Sequence, residues 1–330
     1  MNPVAPNRAE EILRKAQGKK VAVLGDFMLD RHLKGSVRRI SPEAPVPVVE
    51  IEAETTGLGG AGNVVNNLAS LGAQPVVFGV IGDDATGQVL LGHLETCGTI
   101  TTGIIASPMR RTTEKIRIIA HDQHVVRADR ETPVGLSADE EKQIMGALEK
   151  EAQSLSAIIL QDYNKGVLTD HSIAAALEIA AKCRIPVYVD PKFDHFFDYR
   201  GSHLFKPNIR ELETALGMRI GSDQELQRAG GLLFDRMQPE FVLVTRGEKG
   251  MTLFLGRDDM RHVPTRAKKV HDVSGAGDTV IATYVVAELG GGFPQEAAVM
   301  ANEAAGVVCG EVGVVSIERD RLLEAVADND

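Results

Sequence analysis

The hexapeptide KVAVLG, Lys20–Gly25, decides the fold class of this chain, because it is a short run of apolar and β-branched residues without polar alternation. Runs of the same character recur at residues 74–81, 157–160, 186–189 and 241–244. Nearly continuous apolar strands are typical of parallel sheets, whose two faces are both covered. The sequence therefore predicts five buried strands of such a sheet.

Helical stretches separate these runs. They are predicted at residues 63–71, 84–94, 138–153, 172–182 and 223–237. Strands that alternate with helices form repeated crossover units, so we expect an α/β fold with a doubly wound, mostly parallel sheet. The 330 residues suffice for one large α/β domain with a small appendage, and we expect a single domain over residues 1–330.

Two segments depart from this alternation. Residues 31–51 contain three prolines, which preclude a helix and confine any strand there to the edge of a sheet. Residues 112–129 alternate like two antiparallel strands joined near residues 121–123. Together they predict a small β-structured lid, inserted at about residues 31–51 and 112–129.

Composition and charge exclude several classes of protein. A formal charge of −10 lacks the cationic excess that neutralises phosphates, so no nucleic acid partner is expected. The three cysteines are far apart and form no CxxC pair, so neither a disulfide nor a zinc site is expected. No apolar stretch has the length of a signal peptide or of a membrane span. We therefore expect a cytoplasmic protein without a membrane partner.

The strongest chemical signal is HDVSGAGDT at residues 271–279, which an apolar helical stretch follows. Small residues let the backbone approach an anion, and the amides of Gly275, Ala276 and Gly277 at the helix start would form an anion hole. Asp278 then lies beside that anion. A carboxylate next to such a hole supplies the proton acceptor and the charge stabilisation that phosphoryl transfer needs. The alternative is a structural role, in which the segment is an ordinary glycine-rich turn and Asp278 stabilises the dipole of the helix that follows.

The segment DVSGAGD resembles the D-T/S-x-G-A-G-D signature of the ribokinase-like (PfkB) carbohydrate kinases. Near the other end, GGAGNV at residues 59–64, followed by NNLASLG, is similar to the glycine-rich sugar-binding signature of that family. The resemblance extends along nearly the whole chain and implies a ribokinase-like sugar kinase with Asp278 as the base. The sugar-binding residues that it implies in the glycine-rich loop are Gly59, Gly60 and Asn63.

KPNIRE at residues 206–211 is similar to the K-P-N-x-x-E stretch of the family, whose Asn and Glu help to place Mg²⁺ near the ATP phosphates. The resemblance implies that Asn208 and Glu211 hold Mg²⁺ indirectly, through water, as suits an ion that keeps several waters. The same spacing also fits a capping box at an ordinary helix start. A monovalent cation is a further cofactor compatible with the resemblance. The other ATP-binding residues that it implies are Thr245, Gly247, Gly250 and Asn302.

The stretches GDFMLDR at residues 25–31, RRISPEAPVPVVEI at 38–51 and QDYNKG at 161–166 resemble one subgroup of the family. Its members phosphorylate the anomeric hydroxyl of D-glycero-D-manno-heptose 7-phosphate to the β-1,7-bisphosphate, on the ADP-heptose route to lipopolysaccharide. Asp26 follows a buried strand at its carboxyl end, where α/β sheets bind ligands, so it could accept sugar hydroxyls, as could Asp30. An aspartate that caps a local turn is the alternative.

A sugar phosphate needs cations, and Lys192 is the favoured candidate because Asp190-Pro191 before it follows a strand end. The lid would exclude water, so that ATP is not simply hydrolysed. Lids of this family often pair edge to edge, which leads us to expect a homodimer through the lid. No HxGH-type nucleotidyltransferase motif follows the kinase region, so a stand-alone kinase is expected. Further candidates for the substrate phosphate are Arg38, Arg39, Arg117 and Lys165.

Other functions stay open at this point. One is a kinase for another sugar or sugar phosphate, such as fructose phosphate or ribose, on the same fold. Another is a non-catalytic sugar-binding regulator, since fold does not guarantee chemistry. Asp278 and the intact glycine-rich turn before it favour the enzyme. A dinucleotide-dependent dehydrogenase is disfavoured, because no strand is predicted to end directly before the glycine-rich residues 57–62.

Overall fold

The structure is a computed structural model that describes residues 1–121, 123–132, 134–265, 271–311 and 313–328. In these ranges the strands form one sheet of nine and one of four. The strands are β1 (Lys20–Gly25), β2 (Phe27–Ile40), β3 (Pro47–Gly60), β4 (Gln74–Gly82), β5 (Ile100–Ser107), β6 (Thr113–Ala120), β7 (Gln123–Arg130), β8 (Ala157–Gln161), β9 (Val187–Asp190), β10 (Leu204–Phe205), β11 (Phe241–Thr245), β12 (Met251–Gly256) and β13 (Asp259–Val263). The helices are α1 (Pro6–Ala16), α2 (Ala61–Ser70), α3 (Ala85–Thr96), α4 (Ala138–Glu151), α5 (Asp170–Cys183), α6 (Ile209–Leu216), α7 (Asp223–Met237), α8 (Ala276–Leu289), α9 (Pro294–Cys309) and α10 (Arg319–Ala327).

The larger sheet has the strand order β13-β12-β11-β10-β9-β8-β1-β4-β5. Neighbours from β11 to β5 are parallel, whereas β12 and β13 form an antiparallel hairpin at one edge. The carboxyl ends of β10, β9, β8 and β1 therefore meet at one edge of the sheet, where α/β proteins bind ligands. The predicted α/β fold with a mostly parallel sheet is confirmed.

Burial on both faces explains the apolar strands. In β1, Val21 and Val23 pack against the layer of α1, α2, α8, α9 and α10, whereas Ala22 and Leu24 pack against the layer of α4, α5 and α7. Since every side chain of such a strand is covered, no polar alternation is required. The five predicted strands agree with the structure to within one residue, and the five predicted helices to within two. Among helices in the described ranges, none combines the length and apolarity that crossing a bilayer requires.

The smaller sheet has the order β3-β2-β6-β7. Its first two strands span residues 27–60 and so extend beyond the predicted 31–51, because β2 begins one residue after β1 and its first four residues are buried. The prolines act as expected, since Pro42 and Pro45 lie between the strands and Pro47 begins the edge strand β3. The antiparallel pair β6 and β7 matches the two strands predicted within residues 112–129.

Candidate active site

A row of polar side chains lies at the carboxyl ends of the central parallel strands. Asp26 follows β1, Gln161 ends β8, Asp190 ends β9 and Lys206 follows β10. Because these strands are neighbours, the four side chains come to one edge, and each is at most 7% exposed. Burying polar groups costs free energy unless they are paired. This concentration of buried polarity at a ligand-binding edge marks the candidate site.

Asp278 lies at the centre of this site. It is in the first turn of α8, as predicted, and is 3% exposed. Its Oδ2 accepts a hydrogen bond from Asn63 Nδ2 at 2.9 Å. Its Oδ1 accepts bonds from Gln161 Nε2 at 3.0 Å and from the Tyr163 hydroxyl at 2.8 Å. Three side chains from two distant parts of the sequence therefore hold this one carboxylate.

The electrostatics of Asp278 suit a proton acceptor. Burial raises its pKa from 3.8 to about 7, and the charge of Asp190 adds to the increase. Hydrogen bonds from Asn63 and Tyr163, together with the ammonium of Lys206, lower the pKa in part. A general base is most effective when its pKa lies near the working pH. A pKa of about 7 therefore suits a base, and the catalytic role of Asp278 stays a prediction.

The turn before α8 brings its backbone against Asn63. Gly275 has a φ of +79°, in the left-handed region that favours glycine, and a Cβ there would lie 2.5 Å from Asn63 Nδ2. The missing side chain lets the Asn63 amide lie between the Asp278 carboxylate and the Gly275 carbonyl, which accepts from it at 3.4 Å. Gly275 is thus required by close packing at the site.

The three amides predicted as an anion hole are not equivalent. Ala276 N–H donates to the Val273 carbonyl at 3.2 Å, so this amide is already engaged within the chain. Gly277 lies in the first turn of α8, where amides have no acceptor within the helix. A Cβ at Gly277 would lie 3.5 Å from Lys206 Nζ. The anion-binding role of Gly275, Ala276 and Gly277 stays a prediction.

From the sequence, the residues that connect Asp278 to the sheet were named only as parts of motifs, and no contact between them and Asp278 was predicted. Gln161 Nε2 also donates to Asp190 Oδ2 at 3.0 Å, and Lys206 Nζ forms an ion pair with the same oxygen at 3.0 Å. Gln161, Asp190 and Lys206 each stand at or directly after the end of an apolar strand, and Tyr163 is two residues beyond one. A polar side chain at or just after the end of an apolar strand was therefore the feature of the sequence that could have identified these residues.

Lys192 lies two residues after β9, between Tyr163 and Glu211. Its ammonium forms an ion pair with Glu211 and lies 5.5 Å from the centroid of the Tyr163 ring. Burial opposes its protonation, but the carboxylates of Asp190 and Glu211 outweigh that effect and raise the pKa of Lys192. Its predicted contact with a substrate phosphate stays a prediction.

The residues predicted to place Mg²⁺ form a capping box at the start of α6. Asn208 Oδ1 accepts from the Glu211 N–H at 2.9 Å, and Glu211 Oε2 accepts from the Asn208 N–H at 2.9 Å. The other Glu211 oxygen is engaged by Lys192. Oxygen donors of this kind suit Mg²⁺, and because they are committed within the chain they fit an ion held through its waters.

The residues predicted to bind the nucleotide follow farther along the sheet. Thr245 ends β11 and pairs with the residue that caps α6. Gly247 and Gly250 lie in the turn between β11 and β12. Asn302, in α9, donates to the Pro264 carbonyl at 2.9 Å, so its amide is engaged within the chain. Their contacts with ATP stay predictions.

Asp26 is bound by backbone amides. Its Oδ2 accepts from the N–H groups of Tyr163 at 2.9 Å and Lys165 at 3.0 Å, and its Oδ1 accepts from Val167 N–H at 3.1 Å. Burial raises the pKa of Asp26, while these three amides oppose the increase. The geometry is that of the turn-capping alternative, and the acceptance of sugar hydroxyls by Asp26 stays a prediction.

Asp30 lies against the glycine-rich loop. It is on β2, and its Oδ1 accepts from Arg117 Nη1 at 2.7 Å. A Cβ at Gly59 would lie 2.9 Å from Asp30 Oδ2, so the bare backbone of β3 packs directly beside this carboxylate. Gly60 ends β3, and Asn63 follows in the first turn of α2. These predicted sugar-binding residues therefore come together between the two sheets.

The other basic candidates for a substrate phosphate are spread over the surface and the site. Arg38 and Arg39 are exposed in the outer half of β2. Lys165 instead lines a small recess together with Arg110 and Arg111, two residues that were not singled out from the sequence. Because this recess also borders the start of β2 and β6, it lies at the base of the smaller sheet.

Comparison with known sequences identifies the family. A family model described as pfkB family carbohydrate kinase matches residues 18–320. A relative from Pelobacter propionicus named bifunctional protein HldE is 43% identical over 318 residues, and one of the same name from Geobacter sulfurreducens is 42% identical over 308 residues. These matches cover 96% and 93% of this chain, which spans 65% and 63% of the two relatives.

Solved structures show the same fold. Ribokinase of Arabidopsis thaliana, solved with ribose and ATP, has a TM-score of 0.74 at 19% identity, covering 94% of this chain and 99% of that one. Phosphofructokinase-2 of Escherichia coli, solved with potassium, has a TM-score of 0.79 at 18% identity, covering 95% and 99%. Together with the family match over almost the whole chain, this fold shows that the protein belongs to the pfkB family of carbohydrate kinases and is a sugar kinase.

Proposed function

We propose that this sugar kinase transfers the terminal phosphoryl group of ATP to the anomeric hydroxyl of D-glycero-D-manno-heptose 7-phosphate, giving the β-1,7-bisphosphate. The observation that carries the catalytic part is the buried carboxylate of Asp278, held by three side chains and with a pKa of about 7. Residues 25–31, 38–51 and 161–166, which resemble heptose 7-phosphate kinases, support the choice of sugar. The two relatives are named as bifunctional, which agrees with a subgroup whose kinase is often fused to a nucleotidyltransferase.

In the proposed reaction, ionised Asp278 accepts the proton of the anomeric hydroxyl. The sugar oxygen forms a bond to the γ-phosphorus of ATP, while the bond from that phosphorus to the β–γ bridging oxygen breaks and its electron pair leaves with ADP. Asn63, Gln161 and Tyr163 orient the carboxylate beforehand, so the hydroxyl meets a positioned acceptor. As it binds, the hydroxyl displaces one of these three donors.

Backbone and metal would stabilise the charge of the transferring group. The amides of Gly275 and Gly277 and the positive end of α8 are the proposed anion hole. The Ala276 amide contributes less, because it is already bonded within the chain. Asn208 and Glu211 would hold Mg²⁺ through water, and the ion would neutralise charge on the ATP phosphates. The residues proposed to line the rest of the nucleotide are Thr245, Gly247, Gly250 and Asn302.

The sugar phosphate would lie between the strand ends and the smaller sheet, which we propose as the lid that excludes water. Asp30, Gly59 and Asn63 converge there. The loop after β8 carries Tyr163, which contacts Asp278, and then Lys165, which lines the recess with Arg110 and Arg111. One short loop therefore links the base to a cationic recess, which makes that recess the best-supported position for the 7-phosphate.

The lid also supports the proposal of a homodimer. Ile40, Ile51 and Val126 of the smaller sheet are large apolar side chains that are exposed. An exposed apolar sheet needs a cover, and a second copy of the lid would supply it. Sedimentation equilibrium of the wild type and of Ile51→Asp tests this. We expect a dimer that the substitution dissociates, and a monomeric wild type would refute it.

Turnover on a set of matched sugars tests the substrate. Heptose 7-phosphate, unphosphorylated heptose, fructose 6-phosphate and ribose would each be incubated with Mg²⁺ and ATP, with ADP release and the ³¹P NMR spectrum of the product recorded. We expect kcat/KM for heptose 7-phosphate to exceed the others by about 100-fold or more, because of these sugars only this one would place a phosphate in the recess while its anomeric hydroxyl reaches Asp278. Faster turnover of ribose or fructose 6-phosphate would instead identify another sugar kinase.

A further inference from the structure

The mechanism proposed above assigns no role to Lys192, which lies close to the proposed base. Its ammonium forms an ion pair with Glu211, and it lies 5.5 Å from the centroid of the Tyr163 ring. The hydroxyl of the same ring donates to Asp278 at 2.8 Å. One aromatic ring therefore separates this cation from the carboxylate that is proposed to take the proton.

The order of the strands shows on which side of the base Lys192 lies. Asp278 is held by Gln161 at the end of β8, and the proposed sugar residues are reached from β8 through β1 and the smaller sheet. The proposed nucleotide residues follow β10 and β11, in the opposite direction. Lys192 follows β9 and so lies between the base and the nucleotide side. In an in-line transfer, the phosphorus is located between those same two regions.

Charge and exposure distinguish Lys192 from its buried neighbour Lys206. The Lys192 side chain is 28% exposed, and its ammonium is paired with Glu211. The Lys206 side chain is 3% exposed and is paired with Asp190 at 3.0 Å. The ammonium of Lys206 is therefore buried in an ion pair, whereas the ammonium of Lys192 is paired at a position that a ligand from solvent can reach.

We propose that Lys192 binds the transferring γ-phosphoryl group of ATP, exchanging its ion pair with Glu211 for a phosphoryl oxygen when the nucleotide binds. The inference rests on the proposed role of Asp278 as the base, and it is independent of which sugar is the acceptor. It also gives Lys192 a different ligand from the substrate phosphate that the sequence suggested.

In this step Lys192 keeps its proton and donates a hydrogen bond to an equatorial oxygen of the phosphoryl group. The proton of the sugar hydroxyl still goes to Asp278, and the electron pair of the broken P–O bond still goes to ADP. Charge-assisted hydrogen bonds to phosphate are strong, and a donor aimed at charge in the transition state acts on kcat. Glu211, once released by the lysine, would be available to hold Mg²⁺ through water.

Nucleotide affinity in the absence of sugar tests the proposal. Isothermal titration calorimetry would compare the β,γ-imido analogue of ATP with ADP, each with Mg²⁺, on the wild type and on Lys192→Met. We expect the variant to bind the ATP analogue about 10- to 100-fold more weakly, because it loses a hydrogen bond between charged groups. Its affinity for ADP should change by less than about threefold, since ADP lacks the γ-phosphate.

Controls separate this contact from a loss of structure. Lys182→Met removes a surface lysine paired with Glu178 and should leave both affinities unchanged. Lys192→Arg keeps the charge and should retain most of the preference for the ATP analogue, and it serves if the methionine variant does not fold. We also expect kcat of Lys192→Met to fall by about 100-fold.

Two outcomes would overturn the proposal. Equal losses of affinity for the ATP analogue and for ADP would place Lys192 elsewhere on the nucleotide. Unchanged affinities for the ATP analogue and for ADP, together with a raised KM for the sugar phosphate, would show that Lys192 binds the substrate phosphate instead. Failure of the heptose assignment would be seen separately, in the sugar turnover of the wild type, because these titrations contain no sugar.

Discussion

Two buried carboxylates at the same edge of the sheet are held in contrasting ways. Asp26 accepts three backbone amides from residues 163–167, whereas Asp278 accepts three side-chain donors. Backbone amides are fixed by the fold, but a side-chain donor can rotate away and be replaced by a substrate hydroxyl. We infer that the donors around a buried aspartate indicate its role better than its burial does, and that under the proposed function Asp278 has a chemical role and Asp26 a mainly structural one.

The largest effect is expected at the side-chain-held carboxylate. In Asp278→Asn, kcat should fall by about 10²- to 10⁴-fold, the range that a general base contributes, while ATP still binds. Steady-state kinetics and calorimetric titration with ATP measure both quantities. Asp258→Asn, at a position whose side chain is 86% exposed, is the matched control and should behave as the wild type. Near-normal turnover of Asp278→Asn would remove the contrast between the two aspartates.

The second largest effect is expected in the dependence of activity on pH. Because the proposed mechanism uses Asp278 in its ionised form and its pKa is about 7, kcat/KM should rise with pH through about 7 and be about 100-fold lower at pH 5 than on the plateau. An acid limb of kcat/KM centred near pH 4 would contradict this expectation.

The raised pKa of Asp278 also predicts how the free energy of unfolding depends on pH. The folded pKa of Asp278 lies above the unfolded value of 3.8, so the folded protein binds the extra proton between about pH 4 and pH 7. This contribution to the free energy of unfolding is fully present below about pH 4 and is lost as the pH rises to about 7. Urea unfolding at several pH values should show this loss in the wild type and not in Asp278→Asn.

The backbone-held carboxylate should instead affect stability. In Asp26→Asn the new amide group faces at least one of the three N–H donors, so an amide is orphaned at a cost of about 1–3 kcal/mol. Urea unfolding measures the cost, and kcat should fall by less than about tenfold. A large loss of kcat with unchanged stability would show that Asp26 acts chemically after all.

The smallest effect is expected at a donor to the base. The Tyr163 hydroxyl lowers the pKa of Asp278, so Tyr163→Phe should move the acid limb of kcat/KM upward by about one pH unit. Turnover at pH 7 should fall by about fivefold and recover toward pH 9. A loss that does not recover at high pH would show that Tyr163 does more than tune the base.

The sequence predicted those features that depend on neighbouring residues. Apolar runs located the strands, and the spacing of Asn208 and Glu211 located the capping box of α6. Gln161 and Tyr163 were not recognised as partners of Asp278, because they meet it only through the order of β9, β8 and β1 in the sheet. No local pattern encodes that order. The start of β2 was also missed, since Phe27 follows β1 after a single residue and the first four residues of β2 are buried, so that they continue the apolar pattern of β1.

The connections between the two sheets have a mechanical consequence. Only Asp26 separates β1 from β2, and β3 passes into α2 without an intervening residue. The smaller sheet is thus continuous with the larger sheet and its helices at two places, so closure of the proposed lid would twist unbroken strands instead of swinging on a linker. Such a twist would move Asp26, which accepts hydrogen bonds from the segment 163–167, and this segment includes a donor to Asp278. Under the proposed function, covering the substrate and aligning the proton acceptor would be parts of one movement.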